Sequence, residues 1–499
     1  MLLTKTNYLV FKECPQNAWV KIFRPEIYQS KQISDFDKMI MESGNQIDEL
    51  ARELFPGGIL IEDRKDIHTT KKLVDKKEKI IYQPVFYTDK FEAIADMLVW
   101  NDNKNAYDIY EVKSTNSGKN KSKHIDEYKH DLAFQVNVLK ELAVPINNTY
   151  IIRLNSEYVR QEKLDIKELL IIEDFTDEVM GIVDIVLDEM NSAYDSLKLE
   201  NKPQGYCSCI RKGRSAHCIS FDYLNPEIPE YSVHDIARIG NSKKKLSELI
   251  DRKIYSIFDV PSGFELSDIQ RNQVDVAHSK KIIIDKEKLA NFFSDIEYPI
   301  SFLDYETFPS AIPRFVGYSP YNQIPFQFSL HILQSQDSEL EHFEFLYIDK
   351  NNPDLAFINE LKKYLPENGS IIVWNKTFES GINEKLSKRH EEHLSYMENV
   401  NSRIVDLEVP FTSQFYIHPE FSGKTSIKKI LPALAPEFSH KVLNIQEGGT
   451  ASDTWNKIVS GEFDEKGIKE KSKDLLEYCK LDTLAMFEIW KHCMKQLED

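Results

Sequence analysis

Apolar and polar positions along the first 220 residues follow helix-like and strand-like spacings in turn. Apolar residues at helical spacing predict a helix over residues 44–54, which ends at the turn Pro56-Gly57-Gly58. Alternating or continuous apolar runs predict strands over residues 79–87, 93–100, 107–113 and 148–154, and a further helix is predicted over residues 129–142. This order of elements predicts an α/β fold for residues 1–220.

The pattern changes twice in the remainder of the chain. Residues 221–295 are mostly helical and highly charged, which is typical of a connector. From Tyr298 onward strands and helices alternate again, and a proline-rich loop follows the first of these strands. We therefore predict an α/β domain over residues 1–220, a helical connector over 221–295 and a second α/β domain over 296–499.

Composition narrows the class of protein. With 41% hydrophobic residues, the chain has enough apolar material for several packed cores. It contains no run of eighteen apolar residues and no signal-peptide pattern, so we expect a cytoplasmic protein without a membrane partner and with reduced cysteines. A net charge of −18 argues against an indiscriminate nucleic-acid binder, but it is compatible with a nuclease whose carboxylates bind metal ions.

A first carboxylate group lies on the predicted strand YDIYEVKST. Strand alternation places Glu111 and Lys113 on one face, and Asp96 closes the adjacent strand, where it can meet Glu111. Two carboxylates and the carbonyl of Val112 are the oxygen ligands that a hard divalent cation prefers. Lys113 can then orient an attacking hydroxide and offset charge in the transition state. A plain surface strand is the alternative.

This group resembles the PD-(D/E)xK nuclease signature in its RecB-like branch. That branch has a preceding helix with a Gly-x-x-aliphatic-His pattern; here Gly44 opens the pattern and Asp48 takes the histidine position. The resemblance implies that Asp48, Asp96, Glu111 and the Val112 carbonyl hold a metal ion. It also implies that Gln135, in the helix segment DLAFQ, contacts DNA or positions the lysine.

Four cysteines lie at the two ends of the first predicted domain, with Cys14 early and Cys207, Cys209 and Cys218 late. The pattern is similar to that of RecB-like nucleases, CRISPR-associated ones included, which hold a [4Fe–4S] cluster through one early and three late cysteines. The resemblance implies a [4Fe–4S] cluster, with Zn²⁺ as the alternative, because four thiolates suit either. Buried reduced thiols are a further alternative. Cys479 is predicted to be a packing residue.

A second carboxylate group lies in the C-terminal domain. In PISFLDYETF, alternation places Asp304 and Glu306 on one strand face, as ligation of two metal ions about 4 Å apart requires. In DLLEYCKLDTLAMFEIW, apolar spacing predicts a helix on which Tyr478 and Asp482 share one face.

This second group resembles the tyrosine-containing DEDD exonucleases, which have an RNase H-like fold. Their middle motif, Asn-x-x-Phe-Asp, corresponds to Asn375 through Glu379, with glutamate replacing aspartate. The resemblance implies 3′→5′ hydrolysis with a water oriented by Tyr478. It also implies that two Mg²⁺ or Mn²⁺ ions are held by Asp304, Glu306, Glu379 and Asp482. Asp406, in the segment RIVDLEVPF, is an alternative carboxylate ligand in place of Glu379.

Lysine clusters interrupt the acidic sequence. Two of them lie close to the candidate catalytic residues, at residues 119–123 and 424–429. Lys428 and Lys429 open a predicted helix and could bind backbone phosphates, as could Asn375 by its place in the middle motif. A solvated helix start is the alternative.

The whole chain resembles a bacterial family of predicted fused nucleases, through the segments YDIYEVKS, DLAFQ, FLDYETF, FSGKTSIKKILPAL and YCKLDTLAM. The leading hypothesis is a metal-dependent nuclease with two active sites, acting on DNA rather than RNA, in repair or in defence against foreign nucleic acid. The alternative is a single-site DEDD exonuclease on DNA or RNA, whose N-terminal half only binds nucleic acid. An inactive scaffold is the third hypothesis.

Overall fold

The chain folds into two compact units of mixed helices and strands in a computed structural model that describes residues 1–29, 35–117, 124–438 and 443–498. Unit 1 comprises Met1–Ile33, Asp37–Glu227 and Ala311–Asn322, and unit 2 comprises Ser34–Phe36, Ile228–Ser310 and Gln323–Asp499. Of the predicted connector, residues 221–227 thus belong to unit 1 and residues 228–295 to unit 2, and part of the predicted proline-rich loop belongs to unit 1. None of the helices in the described ranges is long and apolar enough to cross a bilayer.

Unit 1 contains a six-stranded sheet whose longest strand carries the first carboxylate group. In spatial order its strands are Ile59–Leu60, Ile80–Tyr82, Met97–Asn101, Ala106–Ser117, Ile146–Asn155 and Leu170–Asp174. The long strand pairs antiparallel with Met97–Asn101 and parallel with Ile146–Asn155. A second sheet contains Leu3–Thr4, Phe91–Ile94 and Val85–Tyr87.

Two strands predicted as continuous are broken in the structure. The first ends at Tyr82 and resumes at Val85 in the other sheet, because Gln83 has a φ of 52° and Pro84 lacks an amide proton for a ladder. The second is interrupted between Ile94 and Met97. This second break releases Asp96 from the strand alternation and places it beside the long strand.

The helices of unit 1 pack on these sheets through their apolar faces. The longer ones are Lys5–Glu13, Pro15–Phe23, Asp35–Arg52, Ile67–Asp75, Ile125–Glu141 and Val183–Leu197. The helix Ile125–Glu141 is buried over most of its length, and its Leu132, Phe134 and Val138 belong to the main core of the unit. Its polar Asp131 and Gln135 are therefore held inside the unit, against the long strand.

Unit 2 contains a five-stranded mixed sheet with the strand PISFLDYETF at its centre. In spatial order its strands are Leu340–Leu346, Gln323–Leu333, Ile300–Pro309, Ile371–Val373 and Ile404–Asp406. The central strand pairs antiparallel with Gln323–Leu333, with a register shift after Glu306, and parallel with Ile371–Val373. A small additional sheet joins Ile283–Ile284 to Tyr416–Ile417.

A long C-terminal helix, Glu465–Glu498, covers one face of the central sheet of unit 2. Its Met486 and Ile489 pack with Phe302 of the central strand in one apolar core. The other longer helices of the unit are Lys243–Asp251, Asp268–Ser279, Lys286–Phe293, Asp354–Tyr364, Lys376–Arg389, Leu394–Ser402, Ile427–Leu434 and Gly448–Ser460. This packing sets the helix residues Tyr478 to Asp482 against the strand residues Asp304 to Glu306.

Candidate metal centres

The first centre, in unit 1, is built around Glu111 of the long strand, whose side chain is 3% exposed. Its Oε1 accepts hydrogen bonds from Lys113 Nζ at 2.6 Å and from Lys5 Nζ at 2.8 Å. Its Oε2 accepts a hydrogen bond from Gln135 Nε2 at 2.7 Å. Both oxygens of the predicted ligand therefore already have donors within the protein.

Asp131 is a further member of this centre that the motif comparison did not assign a role. Its carboxylate contacts Lys5 Nζ at 2.9 Å and Lys113 Nζ at 2.7 Å, and it accepts a hydrogen bond from Gln135 at 2.9 Å. Lys5, Lys113, Glu111 and Asp131 thus form a closed ring of alternating charges, which we call the lysine–carboxylate ring. The sequence could have indicated Asp131, because it lies one helical turn before Gln135 in an apolar helix. Nothing in the sequence around Lys5 indicated that Lys5 belongs to this centre.

Asp96 and Asp48 both lie beside the side-chain amide of Gln83. Asp96 Oδ2 accepts a hydrogen bond from the Val112 amide at 2.7 Å, and Gln83 Nε2 donates to Asp96 Oδ1 at 3.3 Å. Gln83 Nε2 also lies 3.4 Å from Asp48 Oδ2, and Asp48 forms an ion pair with Arg52. The backbone amide of Val112 thus fixes the Asp96 carboxylate beside the long strand.

Charges in the first centre compensate one another. Burial, and after it the neighbouring carboxylate charges, raises the pKa of Glu111, and burial raises the pKa of Asp96. Although burial opposes its charge, Asp131 has a lowered pKa because of Lys113 and Lys5. Burial also opposes the charges of both lysines, yet Asp131 and Glu111 raise the pKa of each. Two ammonium groups, of Lys5 and Lys113, thus face the two carboxylates of the lysine–carboxylate ring.

The four-cysteine centre of unit 1 brings Cys14, Cys207, Cys209 and Cys218 together, with all four sulfur atoms within 4.8 Å of one another. Cys14 Sγ lies 3.4 Å from Cys207 Sγ, which lies 3.7 Å from Cys218 Sγ. Cys14 is the C-cap of the helix Lys5–Glu13, and Ser208 Oγ donates to the Glu13 carbonyl at 2.8 Å. The cysteines could hold a metal, and they join the two ends of the unit.

The sulfur spacing distinguishes two kinds of metal group. Four thiolates at about 2.3 Å from one tetrahedral ion lie about 3.8 Å apart. In a cubane each thiolate binds a different iron atom, so the sulfurs must stand further apart than around a single ion. The distances of 3.4 and 3.7 Å fit the single ion.

The second centre, in unit 2, is formed by the central strand and the long C-terminal helix. Asp304 pairs in register with Ser329, and Glu306 pairs with Gln327, so both carboxylates point to one face of the sheet. One oxygen from each of them and the sulfur of Cys479 all lie within 4.8 Å of one another. Cys479, predicted to be a packing residue, is buried, and its thiol also donates a hydrogen bond to Asp304 Oδ2 at 3.4 Å.

The helix contributes Tyr478 and Asp482 on the same side. Both are buried, and charges on Asp482, Glu306 and Asp304 contribute to a raised pKa of the Tyr478 hydroxyl, after burial as the main cause. Lys428 Nζ lies 5.4 Å from the Tyr478 ring centre and donates to the Gln446 carbonyl at 2.5 Å. Lys428 and Lys429 are exposed. Lys119, Lys121 and Lys123 lie outside the described residues.

The middle motif forms the start of the helix Lys376–Arg389. Glu379 is buried in its first turn, and its Oε2 has no hydrogen-bond partner in the described part of the chain. Asn375 is exposed, with a φ of 84°. Asp406 accepts hydrogen bonds from the amides of Asn375, Lys376 and Glu408 at 3.0–3.2 Å, so it caps this helix and is not placed as a substitute ligand.

Charges in the second centre do not compensate one another. Burial is the main cause of a pKa well above the usual range for Asp304, Glu306 and Glu379, and neighbouring carboxylates raise each further. Lys428 lowers the pKa of Asp304 and Glu306 only as a minor influence. No ion pair neutralises Asp304, Glu306 or Glu379 within the described ranges. Divalent cations would relieve this repulsion.

A comparison with known protein families matches residues 301–426 to a domain of unknown function (DUF2779). No curated protein matches the chain. No solved structure matches it either. The matched segment includes Asp304, Glu306 and Glu379 and ends before Tyr478 and Asp482.

Proposed function

We propose that this protein is a metal-dependent nuclease that hydrolyses phosphodiester bonds at the second centre, with DNA favoured over RNA. The observation that carries the proposal is the group of the half-buried Asp304 and the buried Glu306 and Glu379, which no ion pair of the described chain neutralises. Buried charge without a partner is costly, so such a group is retained where a metal ion completes it. The mixed sheet with Asp304 and Glu306 on its central strand supports an RNase H-like core and a 3′→5′ exonuclease.

Asp304, Glu306, Glu379 and Asp482 would hold Mg²⁺ or Mn²⁺. Bound divalent ions supply Lewis acidity and charge neutralisation at the phosphate. Tyr478 is buried beside the carboxylates, and its raised pKa keeps its hydroxyl protonated. The hydroxyl would donate a hydrogen bond that orients the attacking water. Lys428, exposed at the edge of the centre, attracts the substrate backbone.

The first centre is the second candidate active site. Glu111 and Lys113 on the long strand, with Asp96 bonded to the Val112 amide between them, favour a PD-(D/E)xK-type nuclease. In the lysine–carboxylate ring, ammonium groups contact both oxygens of Asp131 and one oxygen of Glu111. This occupancy argues against catalysis at the first centre in this conformation. These contacts favour the hypothesis that unit 1 binds nucleic acid and leaves hydrolysis to unit 2.

The test is a product ladder from labelled DNA and RNA, single- and double-stranded, with Mn²⁺ or Mg²⁺. Wild type would be compared with Asp304→Ala, Lys113→Ala and the double variant. We expect Asp304→Ala to abolish 3′→5′ degradation and Lys113→Ala to change binding only. A ladder unchanged by Asp304→Ala would refute the proposal, and a second product pattern lost only in Lys113→Ala would make the first centre catalytic.

For the four-cysteine centre we propose a single Zn²⁺ ion in place of the [4Fe–4S] cluster expected from the resemblance. The sulfur distances support it, and its role would be structural, because the cysteines join residues nearly two hundred positions apart. Metal analysis of the purified protein tests this. One equivalent of zinc that is lost in Cys14→Ser, with no visible absorbance, is expected, and iron with a brown colour would refute it.

A further inference from the structure

The C-terminal helix carries two buried cysteines in very different surroundings. Cys493 packs among apolar residues such as Phe302 and Ile489. Cys479 is equally buried, but its sulfur lies 3.4 Å from Asp304 Oδ2 and 3.8 Å from the Asp304 carbonyl oxygen. A thiol among carboxylates is not explained by packing.

The distances match those of ligands around one ion. A thiolate at about 2.3 Å and a carboxylate oxygen at about 2.1 Å from one tetrahedral ion lie about 3.6 Å apart. The observed separation of Cys479 Sγ and Asp304 Oδ2 is 3.4 Å, and Glu306 lies within 4.8 Å of both. Glu379 Oε2, buried and without a hydrogen-bond partner among the described residues, is a further unsatisfied oxygen near Asp304.

We propose that Asp304, Glu306 and Cys479 form a site for a thiophilic divalent cation, Zn²⁺ in particular, at the second centre. Sulfur ligands select softer ions, and Zn²⁺ binds sites of mixed ligands more strongly than Mn²⁺, whereas Mg²⁺ prefers oxygen alone. On binding, the Cys479 S–H bond breaks, its proton passes to solvent, and the sulfur electron pair forms the bond to the metal.

The inferred effect of Zn²⁺ on hydrolysis rests on the proposed function. Asp304 and Glu306 are also the proposed ligands of the hydrolytic Mg²⁺ or Mn²⁺, so the two kinds of ion compete for the same oxygens. Zn²⁺ in a tetrahedral site with a thiolate holds these carboxylates away from the octahedral arrangement that Mg²⁺ needs. Zn²⁺ therefore acts as an inhibitor of hydrolysis, and Cys479 sets its potency.

The test uses Cd²⁺ as a spectroscopic probe of thiolate ligation in the full-length protein. Cd²⁺ is titrated into wild type, Cys479→Ala and the matched control Cys493→Ala, and the ultraviolet thiolate-to-metal absorption is compared. Because all three keep the four-cysteine centre, its absorption cancels in the comparison. We expect Cys479→Ala to lack a component that wild type and Cys493→Ala share, and equal absorption in all three overturns the proposal.

Two further measurements keep the proposal testable if Cys479→Ala folds poorly. Asp304→Asn keeps the cysteine but removes a ligand, and we expect it to weaken Cd²⁺ binding at this component about tenfold or more. An unchanged affinity in that variant overturns the site. If the Cd²⁺ component is present and no hydrolysis occurs with Mg²⁺ or Mn²⁺, the site stands and the proposed nuclease function fails.

Discussion

Removing one charge from the second centre should stabilise the metal-free protein. Ligand oxygens of Asp304 and Glu306 lie within 4.8 Å of each other. Two unit charges at that distance repel by about 3 kcal/mol at an effective dielectric constant of 20. We therefore expect Asp304→Asn, measured without divalent ions at pH 8, to raise the free energy of unfolding of unit 2 by about 3 kcal/mol.

The pH dependence has a defined sign. Asp304, Glu306 and Glu379 have folded-state pKa values above the unfolded ones, so the folded state favours their protonated forms. This contribution to stability is complete below the usual carboxyl range and is lost as the pH rises through the raised values. The stabilisation by Asp304→Asn should therefore be small near pH 4 and grow toward pH 8.

Thermal unfolding of the metal-free proteins measures this effect. For a domain of this size, we expect the midpoint of Asp304→Asn to rise by about 5–10 °C at pH 8. Mn²⁺ should stabilise wild type and leave the variant nearly unchanged, because the variant has lost a ligand.

Asp406→Asn is the matched control, with the same change of side chain in the same unit. Asp406 accepts three backbone hydrogen bonds, so this substitution should lower the midpoint. A lower midpoint in Asp304→Asn, together with no effect of Mn²⁺ on wild type, would refute the account of an uncompensated centre.

Three other perturbations have defined outcomes. Tyr478→Phe should lower kcat about 100-fold with little change in KM, measured by initial rates on single-stranded DNA, if its hydroxyl orients water. Lys5→Met should raise the Mn²⁺ affinity of unit 1, followed by calorimetry, because it frees oxygens of Glu111 and Asp131; an unchanged affinity would contradict the role of the lysine–carboxylate ring. Cys14→Ser should reduce bound zinc by about one equivalent by elemental analysis and destabilise unit 1.

The sequence predicted local elements well and long-range contacts only where a motif linked them. Periodicity located the helix Ile125–Glu141 and the strands carrying Glu111 and Asp304, because the apolar spacing of these segments matches their burial. It missed the break at Gln83-Pro84, where a residue with positive φ and a proline divert the chain from one sheet to another. Local spacing does not encode such a change of partner.

The candidate centres were predictable to a similar extent. Strand and helix faces placed Asp304 beside Glu306, and Tyr478 one turn from Asp482, since these relations are fixed by backbone geometry. Lys5 joins Glu111 from 106 positions away, which only the folded chain determines. Cys479 was assigned to packing because a cysteine in an apolar helix is usually buried, and its side chain meets Asp304 only after the helix docks on the sheet.

The division of the chain into units bears on how this gene can be cut and recombined. Unit 1 includes Ala311–Asn322, a segment whose neighbours in sequence on both sides belong to unit 2. No single crossover between homologous genes can therefore exchange either unit whole, because any one breakpoint leaves part of a unit behind. Unit 1 alone would have to be obtained as a redesigned chain in which Ala311–Asn322 is joined to residues 1–227.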